Sequence, residues 1–274
     1  VLANSLAVTW VARLADPAKN IPLINIAHGW PEKSYANVGK LMNVATKVVA
    51  VSPEVKEKLV AGGLNPEKCR VIFNGVNCTP LYRRSTEISM KIRQELGVGA
   101  GEMLILTVGR LTPQKAHQHL IAVAEQLREK MPFLRYAIVG RGDREQELLS
   151  LIQEKNLQEI VKLTGVRMDV PEILGSADMY LSCSDWEGMS LTIIEAMASE
   201  LPIVATRTEG SEILLQNSCG ILVPVGNVAE MVQQIEKLVH EKNLCRTLGR
   251  NARNRALENF SQERMLNELT EFLY

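Results

Sequence analysis

From about residue 103 onward, short apolar runs alternate with polar loops and helical patterns, and this alternation limits the fold more than any other feature. The runs lie near 104–108, 135–139, 161–164, 179–182, 203–206 and 220–223. Each has the length of a strand, and strand and helix alternating in this way predict a parallel sheet with crossover helices. A shorter system of the same kind precedes it. It reads as a helix over Leu2 to Leu14, a strand from Pro22 to Ala27, a strand from Lys47 to Val51, a helix over Pro53 to Ala61 closed by Gly62 and Gly63, and a strand from Arg70 to Phe73. Between the two systems the stretch from about Cys78 to Glu102, with Pro80, a charged segment and then GVGAGE, reads as a linker.

Two of the strand-to-helix junctions carry chemistry. The run SDWEGMSLTIIEAMASELPIVAT follows the apolar MYLS (Met179 to Ser182) and places Glu187 and Glu195 around the start of a helix, beside Gly188. Without a Cβ, Gly188 lets a ligand approach the backbone. Met189 follows it, and Ser190, Leu191 and Thr192 then offer amides at a helix N-terminus, where the macrodipole favours an anion such as a phosphate. Two carboxylates beside a phosphate site are costly unless each accepts hydrogen bonds, and hydroxyl groups attached to that phosphate supply the donors. A nucleotide sugar has this chemistry. About 75 residues upstream, the strand 104–108 leads into GRLTPQK, so Gly109, Arg110 and Lys115 sit where open parallel sheets bind ligands. Two cations there suit a diphosphate, provided that the two junctions meet in space; otherwise they are solvated surface charges.

Further along, VGRGD ends a strand with Gly140 and Arg141, and GVR at Gly165 to Arg167 brings Val166 and Arg167 to a similar position. Both are glycine turns first; the former could let Arg141 flank the base or phosphates, and the latter could present backbone groups to the base edge. His28 is a lone histidine after an apolar strand, whereas His117, His119 and His240 read as surface residues.

Composition restricts the class. The chain has 274 residues, 46% of them hydrophobic but only 4% aromatic, as expected of an aliphatic α/β core. With 31 basic and 31 acidic residues the formal net charge is zero, which argues against a nucleic-acid surface, as does the scarcity of aromatics for base stacking. Five cysteines without a C-x-x-C pair or metal-ligand spacing read as thiols in a reducing compartment, and no metal site is expected. Neither a signal peptide nor an apolar run of about 18 residues is present, so no membrane-inserted helix is expected.

VGRLTPQK together with EGMSLTIIE, an E-x7-E pattern, closely resembles the donor-binding half of retaining glycosyltransferases of family 4. HG at His28 and Gly29, VSPEVKEKL from Val51, FNGVN from Phe73, VGRGD from Val139 and LTGVRMDVPEIL from Leu163 follow the family order. The resemblance covers nearly the whole chain. It implies the GT-B architecture, an α/β fold of two Rossmann-like domains with parallel sheets. The implied division is a truncated N-terminal, acceptor-side domain over 1–84, a linker over 85–102, a donor-binding domain over 103–258 and a crossover helix over 259–274. FNGVN has Asn77 where the family often has aspartate, and TRTEGSEI has Glu209 where a small residue is common.

The resemblance also implies an activity, transfer of a hexosyl group with retention from a nucleoside diphosphate sugar to a glycan, lipid-linked or small-molecule acceptor. In the family the first glutamate contacts sugar hydroxyls and the second the ribose, so Glu187 and Glu195 inherit those roles. Arg110 and Lys115 would stabilise the leaving diphosphate, and His28 would face the donor sugar. No cofactor or divalent metal is expected, since GT-B enzymes generally work without one and no Asp-x-Asp occurs. The implied location is cytoplasmic, with peripheral contact at the inner membrane face compatible with it. A sugar-nucleotide epimerase of the same architecture and a non-catalytic donor-binding fragment are the alternatives.

Overall fold

The computed structural model describes residues 1–16, 18–29, 34–78 and 86–273, and the chain divides into two units. The first takes in Val1–Gly75, Glu187–Met189 and the C-terminal segment from Gln262; the second takes in Val76–Trp186 and Ser190–Ser261.

The first unit is built on a parallel sheet in the order β1 (Leu2–Ala3), β2 (Ile24–Ala27), β3 (Lys47–Ala50), β4 (Cys69–Val71). Its N-terminal part carries the helices α1 (Leu6–Ala15), α2 (Tyr35–Met42) and α3 (Pro53–Ala61). Leu2 and Ala3, expected as helix, are instead strand, with Leu2 in register with Ile24. The reason is Ser5, whose hydroxyl accepts the Val8 N–H at 3.2 Å and so starts the helix four residues later than the apolar pattern suggests. Helix α3 starts in the same way. Ser52 accepts the Val55 N–H at 3.2 Å, and Pro53 occupies the first helical position, where its missing N–H costs nothing. The C-terminal helix α12 (Gln262–Leu273) groups with this unit, its Met265, Leu269 and Phe272 packed against Ile24, Val49 and Ile72. The Lys47 ammonium lies 4.9 Å from the Phe272 ring centre and holds the last turn.

The second unit carries six parallel strands: β5 (Met103–Val108), β6 (Leu134–Val139), β7 (Val161–Gly165), β8 (Met179–Ser182), β9 (Ile203–Thr206) and β10 (Ile221–Val223). All six lie where the apolar runs predict them, within a residue or so at each end. Their order is β10-β9-β8-β5-β6-β7, so the chain builds outward from β5 to one edge, then returns and builds outward from β8 to the other. Helices α5 (Gln118–Leu127), α6 (Glu145–Glu154), α7 (Val170–Ser176), α8 (Leu191–Ala198), α9 (Glu209–Leu214), α10 (Val228–His240) and α11 (Lys242–Asn259) provide the crossovers and cover. All four residues of β8 and of β9 are buried, which explains why both are apolar up to their last residue. Gly249 of α11 packs so closely on the turn after α8 that a Cβ would stand 2.3 Å from the Glu200 carbonyl oxygen, which fixes glycine there.

The stretch expected as linker is only partly one. Residues 79–85 lie outside the described residues, but Thr86–Glu95 form a helix, α4, followed by buried Leu96 and Val98. Its Ser89 and Ile92 are buried and four of its other eight positions are charged, so the charges concealed a narrow buried stripe. Arg93 fastens α4 to the second unit, donating to the Asp178 carboxylate at 2.8 Å and to the Ser176 carbonyl at 2.9 Å. Among the described residues, no helix is long and apolar enough to cross a membrane, and no group of His, Cys, Asp and Glu could hold a metal ion.

Candidate nucleotide-sugar site

The strand order of the second unit has a switch point. Adjacent strands β5 and β8 pair through Ile105↔Met179 and Leu106↔Tyr180, yet the chain leaves them in opposite directions across the sheet. The crevice beyond their carboxyl ends is where open α/β sheets bind ligands. The loop that follows β5 is GRLTPQK, and the loop that follows β8 leads to EGMSLT, so the two chemistry-bearing junctions emerge from neighbouring strands. They are also joined directly. The Asp185 N–H donates to the Gln114 carbonyl at 2.8 Å, and the Gln114 side-chain amide donates to the Trp186 carbonyl at 2.9 Å.

The loop after β5 is held from below by the loop after β6. Gly109 donates to Val139 at 2.9 Å, Leu111 donates to the Arg141 carbonyl at 3.0 Å, and Arg144 returns a bond to the Leu111 carbonyl at 3.1 Å. Backbones this close exclude side chains. A Cβ on Gly140, whose φ is +147°, would stand 1.9 Å from the Gly109 carbonyl oxygen, and one on Gly142 would stand 2.4 Å from that of Leu111. A 3₁₀ turn, Pro113–Lys115, closes the loop, and Ala116 leaves it in the left-handed conformation at φ +47°. Buried Leu111 pins the loop into the core, leaving Arg110 exposed, while the half-buried Lys115 side chain lies along Gly109.

Helix α8 begins at Ser190, which has extended backbone but no capping bond from its side chain; its hydroxyl faces that of Thr192 at 3.1 Å. No side-chain cap competes with a ligand for the first amides of Leu191 and Thr192. Glu195 lies on the same helix. It is partly buried, and desolvation raises its carboxyl above the usual range. A cavity of about 190 Å³ opens onto it, lined also by Val76, Asn77, Pro171, Leu174 and Ser199.

His28, which follows β2, belongs to the first unit, and the segment Glu187–Met189 groups with that unit. Gly188 lies so near His28 that a Cβ would stand 2.4 Å from the His28 carbonyl oxygen. The Asn74 side-chain amide donates to the Met189 carbonyl at 3.4 Å. Glu187 is buried, and partial burial lowers the His28 pKa, so its ring is neutral at pH 7.

At the base-side positions the structure separates backbone from side chain. Gly140 donates to the Gly165 carbonyl at 2.9 Å, which brings the ends of β6 and β7 together, and Arg141 is exposed. Val166 is 63% exposed. The Arg167 guanidinium, however, is engaged by Asp169 at 2.6 Å and Glu95 at 3.0 Å.

One expectation is overturned here. His117, read as a surface residue, is only 3% exposed, and its Nε2 lies 3.3 Å from the Arg110 carbonyl. His119 is half-buried, with its Nδ1 enclosed and unpartnered, while His240 is exposed as expected. Sequence did carry a signal. His117 stands three and four residues before Leu120 and Ile121, which puts it on the buried face of α5. Gln114 had no such signal, because its partners belong to a loop about 70 residues away.

The family model described as glycosyl transferases group 1 matches residues 89–255, and the model described as glycosyltransferase family 4 matches residues 1–79. The chain belongs to the group 1 glycosyltransferase family. Among its relatives, EpsD of Bacillus subtilis is 31% identical over 72% of this chain and 52% of its own length. The UDP-Gal:alpha-D-GlcNAc-diphosphoundecaprenol alpha-1,3-galactosyltransferase of Escherichia coli is 27% identical over 92% of this chain and 68% of its own. The chain therefore spans about half to two thirds of the length of these group 1 relatives. The crystal structure of Anabaena HepE in complex with UDP-glucose superposes with a TM-score of 0.90 at 26% identity, covering 99% of this chain and 77% of that one. The two parallel sheets described above are thus those of the GT-B fold.

Proposed function

We propose that this protein binds a nucleoside diphosphate sugar and transfers its hexosyl group to an acceptor with retention of configuration. The observation that carries the reading is the switch point. It puts Arg110 and Lys115 on the loop after β5, and an N-terminus with no side-chain cap bond and Glu195 on the helix after β8, with Gln114 bonded across the two loops.

Departure of the nucleoside diphosphate leaves negative charge on its phosphate oxygens. Arg110, Lys115 and the first amides of α8 stabilise that charge where it develops, in place of a metal ion. Glu195 accepts hydrogen bonds from the ribose hydroxyls, and Glu187 from the sugar. His28, neutral at pH 7, hydrogen-bonds a sugar hydroxyl. No carboxylate pair of the glycosidase type is required, because the leaving phosphate takes the acceptor's proton on the same face.

UDP-sugars are the donors to test first, since a UDP-sugar stands in the name of the Escherichia coli relative and UDP-glucose in the HepE complex. The diphosphoundecaprenol in the first of these names supports a lipid-linked acceptor at the inner membrane face. The alpha linkage in that name supports retention, since an α-linked donor that yields an α-linked product keeps its configuration.

Calorimetry with UDP in EDTA tests the donor site. Lys115→Ala and Glu195→Ala should each weaken binding about ten- to a hundredfold, the value of one charge-assisted hydrogen bond. Unchanged affinity in both variants would refute the assignment, and binding only with added magnesium or manganese would refute the metal-free reading. Because the chain spans only part of its relatives, a donor-binding module is the second reading. Product analysis with a UDP-sugar and an acceptor panel separates transfer, epimerisation and binding alone.

A further inference from the structure

The diphosphate loop has an internal support that its charged residues do not explain. After Lys115 the chain turns through Ala116 at φ +47°, and this reversal carries His117 back beneath the loop. The Arg110 carbonyl then accepts two bonds, from the Thr112 N–H at 2.9 Å and from His117 Nε2 at 3.3 Å. A carbonyl can only accept, so Nε2 must carry the proton, and the neutral ring is the Nε2–H tautomer. We propose that His117 is a positioning residue: by holding the Arg110 carbonyl from within the core, it fixes the peptide that aims Arg110 at the donor diphosphate.

The surroundings suit a permanently neutral imidazole. Burial is the main cause that holds its pKa down to about 4, and Lys115 and Arg144, the charged groups that bear on the ring, are both cationic and act in the same direction. A second proton would have to go on Nδ1, against both effects. A lysine or arginine here would add a third charge under the loop, whereas an aliphatic residue would leave the carbonyl without its buried donor. Histidine supplies a donor with no charge at pH 7.

This inference rests on the donor-site reading, and its test separates the two. UDP affinity is measured by calorimetry at pH 7.5 for the wild type, His117→Leu and His117→Gln, with folding checked by circular dichroism. The leucine variant should bind UDP about tenfold more weakly, and glutamine, which can donate to the same carbonyl, should recover most of the loss. Wild-type affinity in the leucine variant, or equal loss in both variants, would overturn the proposal. Long-range ¹H–¹⁵N NMR of the wild-type imidazole provides a readout that does not depend on UDP. An Nε2–H tautomer that persists from pH 8 to 5 is expected, and an Nδ1–H tautomer or a ring titrating near pH 6.5 would overturn the proposal. If the leucine variant does not fold, the glutamine variant and the tautomer decide. If the wild type itself does not bind UDP, the donor-site reading fails, and the tautomer alone decides whether His117 holds the loop.

Discussion

Gly140→Ala is the substitution that most directly tests the geometry of the candidate site, with Gly165→Ala as its control. Both glycines end neighbouring strands, and both have positive φ, +147° at Gly140 and +72° at Gly165. They differ in what a methyl group would meet. At Gly165 nothing lies within 4 Å, so alanine there carries only the left-handed backbone penalty, about 1–2 kcal/mol, partly offset by the lower entropy of the unfolded chain. A net loss of about 1 kcal/mol is expected. At Gly140 the methyl would stand 1.9 Å from the Gly109 carbonyl oxygen, and relief to an ordinary contact at 3.4 Å moves that carbonyl by about 1.5 Å. Such a shift strains the bonds from Gly109 to Val139 and from Leu111 to Arg141, each worth about 1 kcal/mol, so the total loss is about 3 kcal/mol. In a chain of this size that lowers Tm by roughly 6–12 °C. Urea and thermal unfolding measure both variants, and calorimetry with UDP should show weakened binding in Gly140→Ala, because Arg110 moves with Gly109. Stabilities of the two variants within about 0.5 kcal/mol of each other would refute the close-approach argument.

The second unit was almost fully legible in sequence because its central strands are buried on both faces and read as predominantly apolar runs. The strand order was not legible. Periodicity gives a strand's existence but not its neighbours, and it is the pairing of β5 with β8 that brings the loop carrying Arg110 and Lys115 beside the loop that leads to Glu195. Three local readings failed, each for a stated reason. Leu2 and Ala3 left the helix because Ser5 caps it. Thr86–Glu95 became a helix because a narrow stripe that includes Ser89 and Ile92 suffices when Arg93 supplies a polar anchor. His117 went inside because the chain reverses at Ala116, a conformation that an alanine does not announce. Arg167 shows the opposite limit. Its place in a glycine turn gave it access to a ligand, but Asp169 two residues on and Glu95 72 residues away engage its charge, and only the first of these partners was visible locally.

Arg93→Ala should destabilise the second unit by about 2–3 kcal/mol, since it leaves the half-buried Asp178 carboxylate and the Ser176 carbonyl without their cationic donor; an unchanged urea midpoint would refute the anchoring role of α4. The five thiols should react slowly with iodoacetamide at pH 7.5 in the native protein and fully in urea, because burial raises the pKa of each; rapid native alkylation of any one would contradict its placement. Stability should fall in acid in a window set by His117. Its folded pKa of about 4 lies below the ordinary 6.5, so the unfolded chain binds the proton more readily. The contribution is therefore fully present above pH 6.5 and is lost as the pH falls towards 4, with about 2 kcal/mol gone by pH 5. His28, whose pKa is also lowered, acts in the same direction, whereas Glu195, whose pKa is raised, acts in the opposite one, so the wild type alone cannot isolate the effect. Urea midpoints at pH 7.5 and 5.0 for the wild type and His117→Gln isolate it, because the other titrating groups are common to both. The wild type should lose about 2 kcal/mol more than the variant between the two pH values, and equal losses would show that His117 is not held neutral in the core.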